Sequence, residues 1–128
     1  MFSMLITAAI LGIMLFVSAV VLPVAFVSLP KNLAGAFVRK LFPIYQVALF
    51  IASQVAGFLA MTPHLRPVAF IAGFIFALHF VFLTPAINRA SDLDNSARFK
   101  KLHRLSVLLH LIVIALYAFA LCVDTCYF

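Results

Sequence analysis

The stretch FSMLITAAILGIMLFVSAVVLPVAFVSLP, from Phe2 to Pro30, carries no charged side chain from end to end. A helix rises about 1.5 Å per residue and the hydrocarbon core of a bilayer is about 30 Å thick, so about 20 apolar residues suffice to cross it. This run exceeds the requirement. Three further runs, from Leu41 to about Thr62, from Pro67 to about Asn88 and from Leu102 to about Val123, are each long enough to cross as well. Barrel strands need only about half that length, and lipid leaves no partner for unpaired backbone groups, so the runs read as helices. The expected fold class is all-α: one integral membrane domain over residues 1–128, built as a four-transmembrane-helix bundle with spans near 2–29, 41–62, 67–88 and 102–123.

The composition points the same way. Apolar residues make up 67% of the 128 and charged residues 9%, where soluble domains carry roughly 45–50% and 25%. A water-facing exterior cannot be clothed from such a chain, and four spans leave no room for a soluble catalytic domain. The net charge of +6 could suggest a nucleic-acid partner, but the basic residues fall in short gaps between apolar runs rather than on a water-exposed face. No nucleic acid is expected. The first run is expected to stay in the protein, since it lacks the basic start, short apolar core and small-residue cleavage site of a signal peptide.

The charge distribution sets an orientation. Lys31, Arg39 and Lys40 lie in the first connection, and Arg89, Arg98, Lys100, Lys101 and Arg104 lie in or beside the third. The opposite side has Arg66 alone. Positive loops stay inside, so the segments 31–40 and 89–101 are expected in the cytoplasm, or its organellar equivalent, with both termini outside. Leu33, Phe37 and Leu41 repeat every four residues after Asn32 in a capping position, which reads as a short interfacial helix or a recognition element for anionic lipid. Pro23 is expected to kink or break the first run and Pro85 to bend the end of the third, while Pro43 and Pro67 are placed in first turns. Asp92 and Asp94 read as partners in surface ion pairs rather than as a cation site.

Helices in lipid approach through small residues. Ala48, Ala52, Ala56 and Ala60 on the second span, with Ser53 and Gly57 beside them, Ala69, Gly73 and Ala77 on the third, and Ala8 and Gly12 on the first form such stripes. They serve either one compact bundle or the seam of a homo-oligomer or larger membrane complex.

Polar residues inside the membrane are the functional candidates. The second span offers Gln46 and Gln54, the third His79, and the fourth His103, Ser106, His110 and Tyr117 on one face. His79 lies ten residues before Arg89 and His110 nine after Lys101, so both sit roughly 14 Å from the basic boundary. Two imidazoles at one depth suit packing bonds, a proton or small-solute path, or the axial ligation of a b-type haem. Cys122 and Cys126, four apart, form a weak metal signal and a poor disulfide. No phosphate loop or nucleophile with base and orienting acid occurs, so no enzyme is expected.

Several pieces then combine: Ser28-Leu29-Pro30 and Ala34-Gly35 after a Pro-bearing first span, Lys40-Leu41-Phe42-Pro43-Ile44-Tyr45, Thr84-Pro85-Ala86-Ile87-Asn88-Arg89, and the segment from Phe99 through His103, Arg104 and Ser106 to Leu109. Together they resemble the transmembrane protein 205-like family, whose bacterial members are grouped as domain of unknown function 4149. The resemblance implies a small four-helix membrane protein with no settled activity. It turns attention to His103, Arg104 and Ser106 and away from haem, because the family pattern more often has Asn where this chain has His110, and an amide does not replace an axial imidazole. A looser similarity to four-helix haem-handling and copper-uptake membrane proteins implies those ligands as alternatives. The leading expectation is a structural, accessory or transport-supporting membrane protein. A proton, metal or small-solute conduit and a haem protein ligated by His79 and His110 are its rivals.

Overall fold

A computed structural model describes residues 1–126; Tyr127 and Phe128, the end of the expected 1–128 domain, lie outside the described residues. Four helices are long and apolar enough to cross a membrane: Phe2–Ser28, Lys31–Leu59, Leu65–Asp92 and Ser96–Cys126. They run up and down as two consecutive hairpins. This places Lys31, Arg39, Lys40, Arg89, Arg98, Lys100, Lys101 and Arg104 toward one end of the bundle, and Arg66 at the other with the first residues.

The last three helices are longer than their apolar runs. Segment 31–40 is not a separate interfacial helix but the opening turns of the second helix, continuous from Lys31 to Leu59. Its cap is Pro30 rather than Asn32, and Pro43 lies well inside it instead of in a first turn. The helix continues through the basic segment because nothing in Lys31–Lys40 breaks it, and lysine and arginine side chains reach the headgroups from the lipid boundary. The first connection shrinks to Leu29 and Pro30, both in extended conformation. The third is also short. Asp94 adopts a left-handed φ of 51°, and the amides of Asn95 and Asp94 bond back to the carbonyls of Ala90 and Ser91, a Schellman closure. Asn95 Oδ1 then accepts the amide of Arg98 and caps the fourth helix.

Pro23 and Pro85 do not break their helices. Each follows one π-helical turn, Val17–Val21 in the first helix and His79–Leu83 in the third. A proline removes one donor and crowds the carbonyl four residues back, and local π widening is a known accommodation in membrane helices. The helices continue beyond, to Ser28 and Asp92.

The two hairpins match in register. Ser3, Thr7, Ile10 and Met14 are buried on the first helix, and Leu65, Ala69, Ala72 and Phe76, each 62 residues further on, are buried on the third. The π turns and Pro23 and Pro85 keep the same offset. On the second and fourth helices Leu49, Ser53, Ala56 and Ala60 correspond, 64 residues on, to Val113, Tyr117, Ala120 and Asp124, all buried. The chain is a doubled hairpin.

Small residues set the closest helix approach, between the second and third helices. A Cβ at Gly57 would meet the Phe70 ring at 3.0 Å, and one at Gly73 would meet Gln54 Nε2 at 3.1 Å. Ala56, Ala60, Ala69 and Ala72 are buried beside them, so this part of the stripes is consumed inside the bundle, while Ala48 at the other end of its stripe is exposed. The first helix differs: Ala8 is exposed, and no atom lies within 4 Å of a Cβ built at Gly12. That pair faces outward.

Candidate functional site

The heptad-like seam of the fourth helix is present with altered membership. Ser106, His110, Val113, Tyr117, Ala120 and Asp124 turn toward the other helices, while His103 is exposed and stacks on Phe99 with ring centroids 5.8 Å apart. His103 therefore stands apart from the interior polar groups. A 3.6-residue period carries positions 106, 110, 113, 117, 120 and 124 along one stripe.

Each polar seam residue meets another helix. The Tyr117 hydroxyl donates to Ser53 Oγ at 2.6 Å, joining the fourth helix to the second with both residues buried. Gln46 and Thr84 join the second to the third reciprocally: the amide Nε2 lies 2.9 Å and Oε1 3.0 Å from Thr84 Oγ1. His110 Nε2 lies 3.1 Å from Ser18 Oγ, joining the fourth to the first. His79 Nδ1 faces the Ile75 carbonyl at 3.0 Å and Nε2 the Ser106 carbonyl at 3.3 Å, joining the third to the fourth. A neutral imidazole carries one N–H, so His79 donates to one of those carbonyls at a time. Gln54 packs against Gly73 and belongs to the tight helix contact rather than to this set.

Two of these groups sit in the π turns. Ser18 belongs to the first and His79 opens the second. His79 Nε2 faces the Ser106 carbonyl, one turn before His110 on the fourth helix. As haem ligands the two histidines start from occupied positions, because His79 Nε2 would have to leave the Ser106 carbonyl and His110 Nε2 the Ser18 hydroxyl. Tyr45, 7% exposed, lies beside this level with its ring 6.1 Å from that of His110. Its hydroxyl is buried and has no hydrogen-bond partner among the described residues.

The end opposite the basic residues holds a group that the pattern of apolar runs did not single out. Asp124 is 2% exposed and its Oδ2 accepts a hydrogen bond from Thr62 Oγ1 at 2.6 Å. Arg66 donates to the carbonyl of Ala60 from Nε at 3.2 Å and Nη2 at 2.7 Å. The lone cation of that side thus satisfies the C-terminus of the second helix. Continuation of the seam by one further turn was the available signal for Asp124. Cys122 and Cys126 are exposed free thiols, and His64 is exposed in the connecting turn. Among the described residues no three His, Cys, Asp or Glu side chains converge as for a metal ion.

At the basic end Arg39 Nη2 meets Asp92 Oδ1 at 2.6 Å and also donates to the Asn88 carbonyl at 3.3 Å. The aspartate makes the expected surface ion pair, with a partner on the second helix rather than in its own connection. Both members are largely exposed, so the pair registers the helices more than it stabilises them.

The profile of the family described as Domain of unknown function (DUF4149) matches residues 5–96, and the chain belongs to that family. The match takes in the first three helices and both π turns. No curated protein matches the chain, and no solved structure does.

Proposed function

We propose that this DUF4149 member is a passive, accessory membrane protein whose intramembrane polar residues lock its own helices and whose outward face holds a partner. The observation that carries the reading is the pairing of Tyr117 with Ser53, Gln46 with Thr84, His110 with Ser18 and His79 with the Ser106 carbonyl. Each such bond consumes a group that a conduit or a cofactor would need. The outward face is a shallow groove of about 200 Å³ between the first and second helices, lined by Ala9, Ala48 and Ala52 among larger apolar residues. Small residues there admit a neighbouring helix closely. The protein is not an enzyme in this reading.

The proposed setting is a bacterial inner membrane, on the family resemblance, with the basic end in the cytoplasm and both termini outside on the distribution of charge. The wider kinship proposed is with transmembrane protein 205-like proteins, on the Thr84-Pro85-Ala86-Ile87-Asn88-Arg89 and His103-Arg104-Leu105-Ser106 segments. A reporter fused after Phe128 is expected to be active only outside the membrane, and cytoplasmic activity would overturn the orientation.

Photo-crosslinking residues at Ala9 and Ala48 test the accessory role in native membranes, with Phe119 on the exposed face of the fourth helix as control. One discrete adduct from both groove positions and none from Phe119 is expected. Equal adducts from all three positions would count against it. Haem ligation by His79 and His110 is the rival, favoured by the approach of His79 Nε2 to the Ser106 carbonyl one turn before His110. It predicts a reduced α-band abolished by His79→Ala and by His110→Ala, where the accessory reading predicts a flat visible spectrum from protein prepared with haem present.

A further inference from the structure

At the basic end the first and second helices part along an apolar groove of about 360 Å³, walled by Val20, Val21, Val24, Ala25, Leu29 and Phe37. From Leu29 at the tip of the hairpin to Val20 it runs about 13 Å along the first helix. Lys31 stands at the tip, two residues after Leu29 at the start of the second helix, which has no side-chain cap. Lys40 lies nine residues further along that helix, about 13 Å in and level with the Val20 end of the groove. Among the described residues neither ammonium enters an ion pair, whereas Arg39, next to Lys40, is held by Asp92.

A shallow apolar groove directed toward the bilayer centre, with an unpaired cation at its mouth and another beside its inner end, has the shape and charge to hold a lipid. We propose that this groove seats one acyl chain of an anionic phospholipid, its phosphate held by Lys31 with Lys40 adding to the local positive potential. The walls are mainly β-branched, leucyl and aromatic side chains, which keep a neighbouring helix backbone at a distance but follow a flexible chain closely. A net negative headgroup completes the charge, and a zwitterionic one brings an ammonium of its own. Basic clusters at this depth attract anionic lipid in general; here the groove makes the attraction a site.

The test is native mass spectrometry of full-length protein released from nanodiscs of equimolar phosphatidylglycerol and phosphatidylcholine. The expected result is about one retained lipid per chain, phosphatidylglycerol exceeding phosphatidylcholine at least fivefold. Lys31→Gln with Lys40→Gln is expected to bring the two lipids to parity. Val24→Trp, at a wall position already half exposed, is expected to lower retention of both at least threefold. Val27→Trp, 87% exposed and off the groove, is expected to leave retention unchanged and serves as the control. Equal retention of the two lipids by the native chain would overturn the proposal. So would unchanged retention in folded Val24→Trp, or a lipid-free dimer mass showing that a second copy fills the groove. Should Val24→Trp fail to fold, the lysine pair decides alone: a persisting fivefold preference overturns the proposal and parity sustains it.

Discussion

The Tyr117 hydroxyl donates to Ser53 Oγ at 2.6 Å, and these two residues occupy corresponding positions of the two hairpins, 64 residues apart. The bond therefore joins the repeats across the interior of the bundle. Neither partner has water to fall back on, since both are fully buried. Removing the Tyr117 hydroxyl strands the serine, and removing the serine hydroxyl strands the tyrosine. A double-mutant cycle of Tyr117→Phe and Ser53→Ala, read by reversible unfolding in mixed micelles, is expected to give a coupling of about 0.6–1.7 kcal/mol. A coupling indistinguishable from zero would remove the bond from the account.

Tyr45 supplies the opposite case. Its hydroxyl is buried without a partner among the described residues, and an unmade bond in such a place destabilises by about 1–3 kcal/mol. Tyr45→Phe deletes the orphan and keeps the ring against Phe42 and His110. The variant is expected to unfold at the same point as the native chain or to be stabilised by about 1 kcal/mol. A loss of more than that would reveal a partner for the hydroxyl.

The glycines divide by the space around them. Gly57→Ala drives a methyl into the Phe70 ring at 3.0 Å and Gly73→Ala into the Gln54 amide at 3.1 Å. Overpacking of this kind destabilises by about 1–3 kcal/mol where the neighbours cannot yield. Gly12→Ala meets nothing and is expected to stabilise its helix by up to about 1 kcal/mol through propensity. Thermal unfolding of the three variants in one detergent checks the order, and a destabilised Gly12→Ala would contradict the exposure of that face.

Asp124 anchors the opposite end through Thr62. Asp124→Asn keeps an acceptor for the threonine hydroxyl, and Asp124→Ala does not. The alanine variant is expected to lose about 1–3 kcal/mol and the asparagine variant clearly less, measured by the same unfolding assay. Equal losses would show that the carboxylate acts through charge instead.

The four crossings are legible in the sequence because the thickness of hydrocarbon enforces long uncharged runs such as Phe2–Pro30. The helix ends are not, since a helix tolerates charge at the lipid boundary as well as beyond it. Lys31–Lys40 therefore extends the second helix instead of forming a linker, and Pro43 falls inside it. The stripe from Ser106 through His110 to Tyr117 follows from helical period alone. Its partners Ser18, Ser53 and Thr84 depend on how each helix rotates about its axis, which small-residue packing at Gly57 and Gly73 helps to decide. Asp124 looks like the end of an apolar run along the chain and becomes an interior residue only once the stripe is carried one turn further. The doubling leaves a trace in Pro23 and Pro85, 62 residues apart, but a single proline pair is a faint mark of a repeat.

Water access along the seam tests the central claim, that the polar interior is closed, most directly. With Cys122→Ser and Cys126→Ser as background, single cysteines at Ser53, Thr84 and Ser106 are treated in intact membranes with a membrane-impermeant, water-requiring thiol reagent, applied from each side in turn. A cysteine replacing exposed Asn95 and one replacing exposed His64 report reagent access to either end. A closed interior gives labelling at the two end positions and less than about a tenth of that at the three seam positions. Labelling of Ser53, Thr84 and Ser106 at rates comparable to the ends would reveal a continuous aqueous path and contradict a bundle sealed by its own polar pairs.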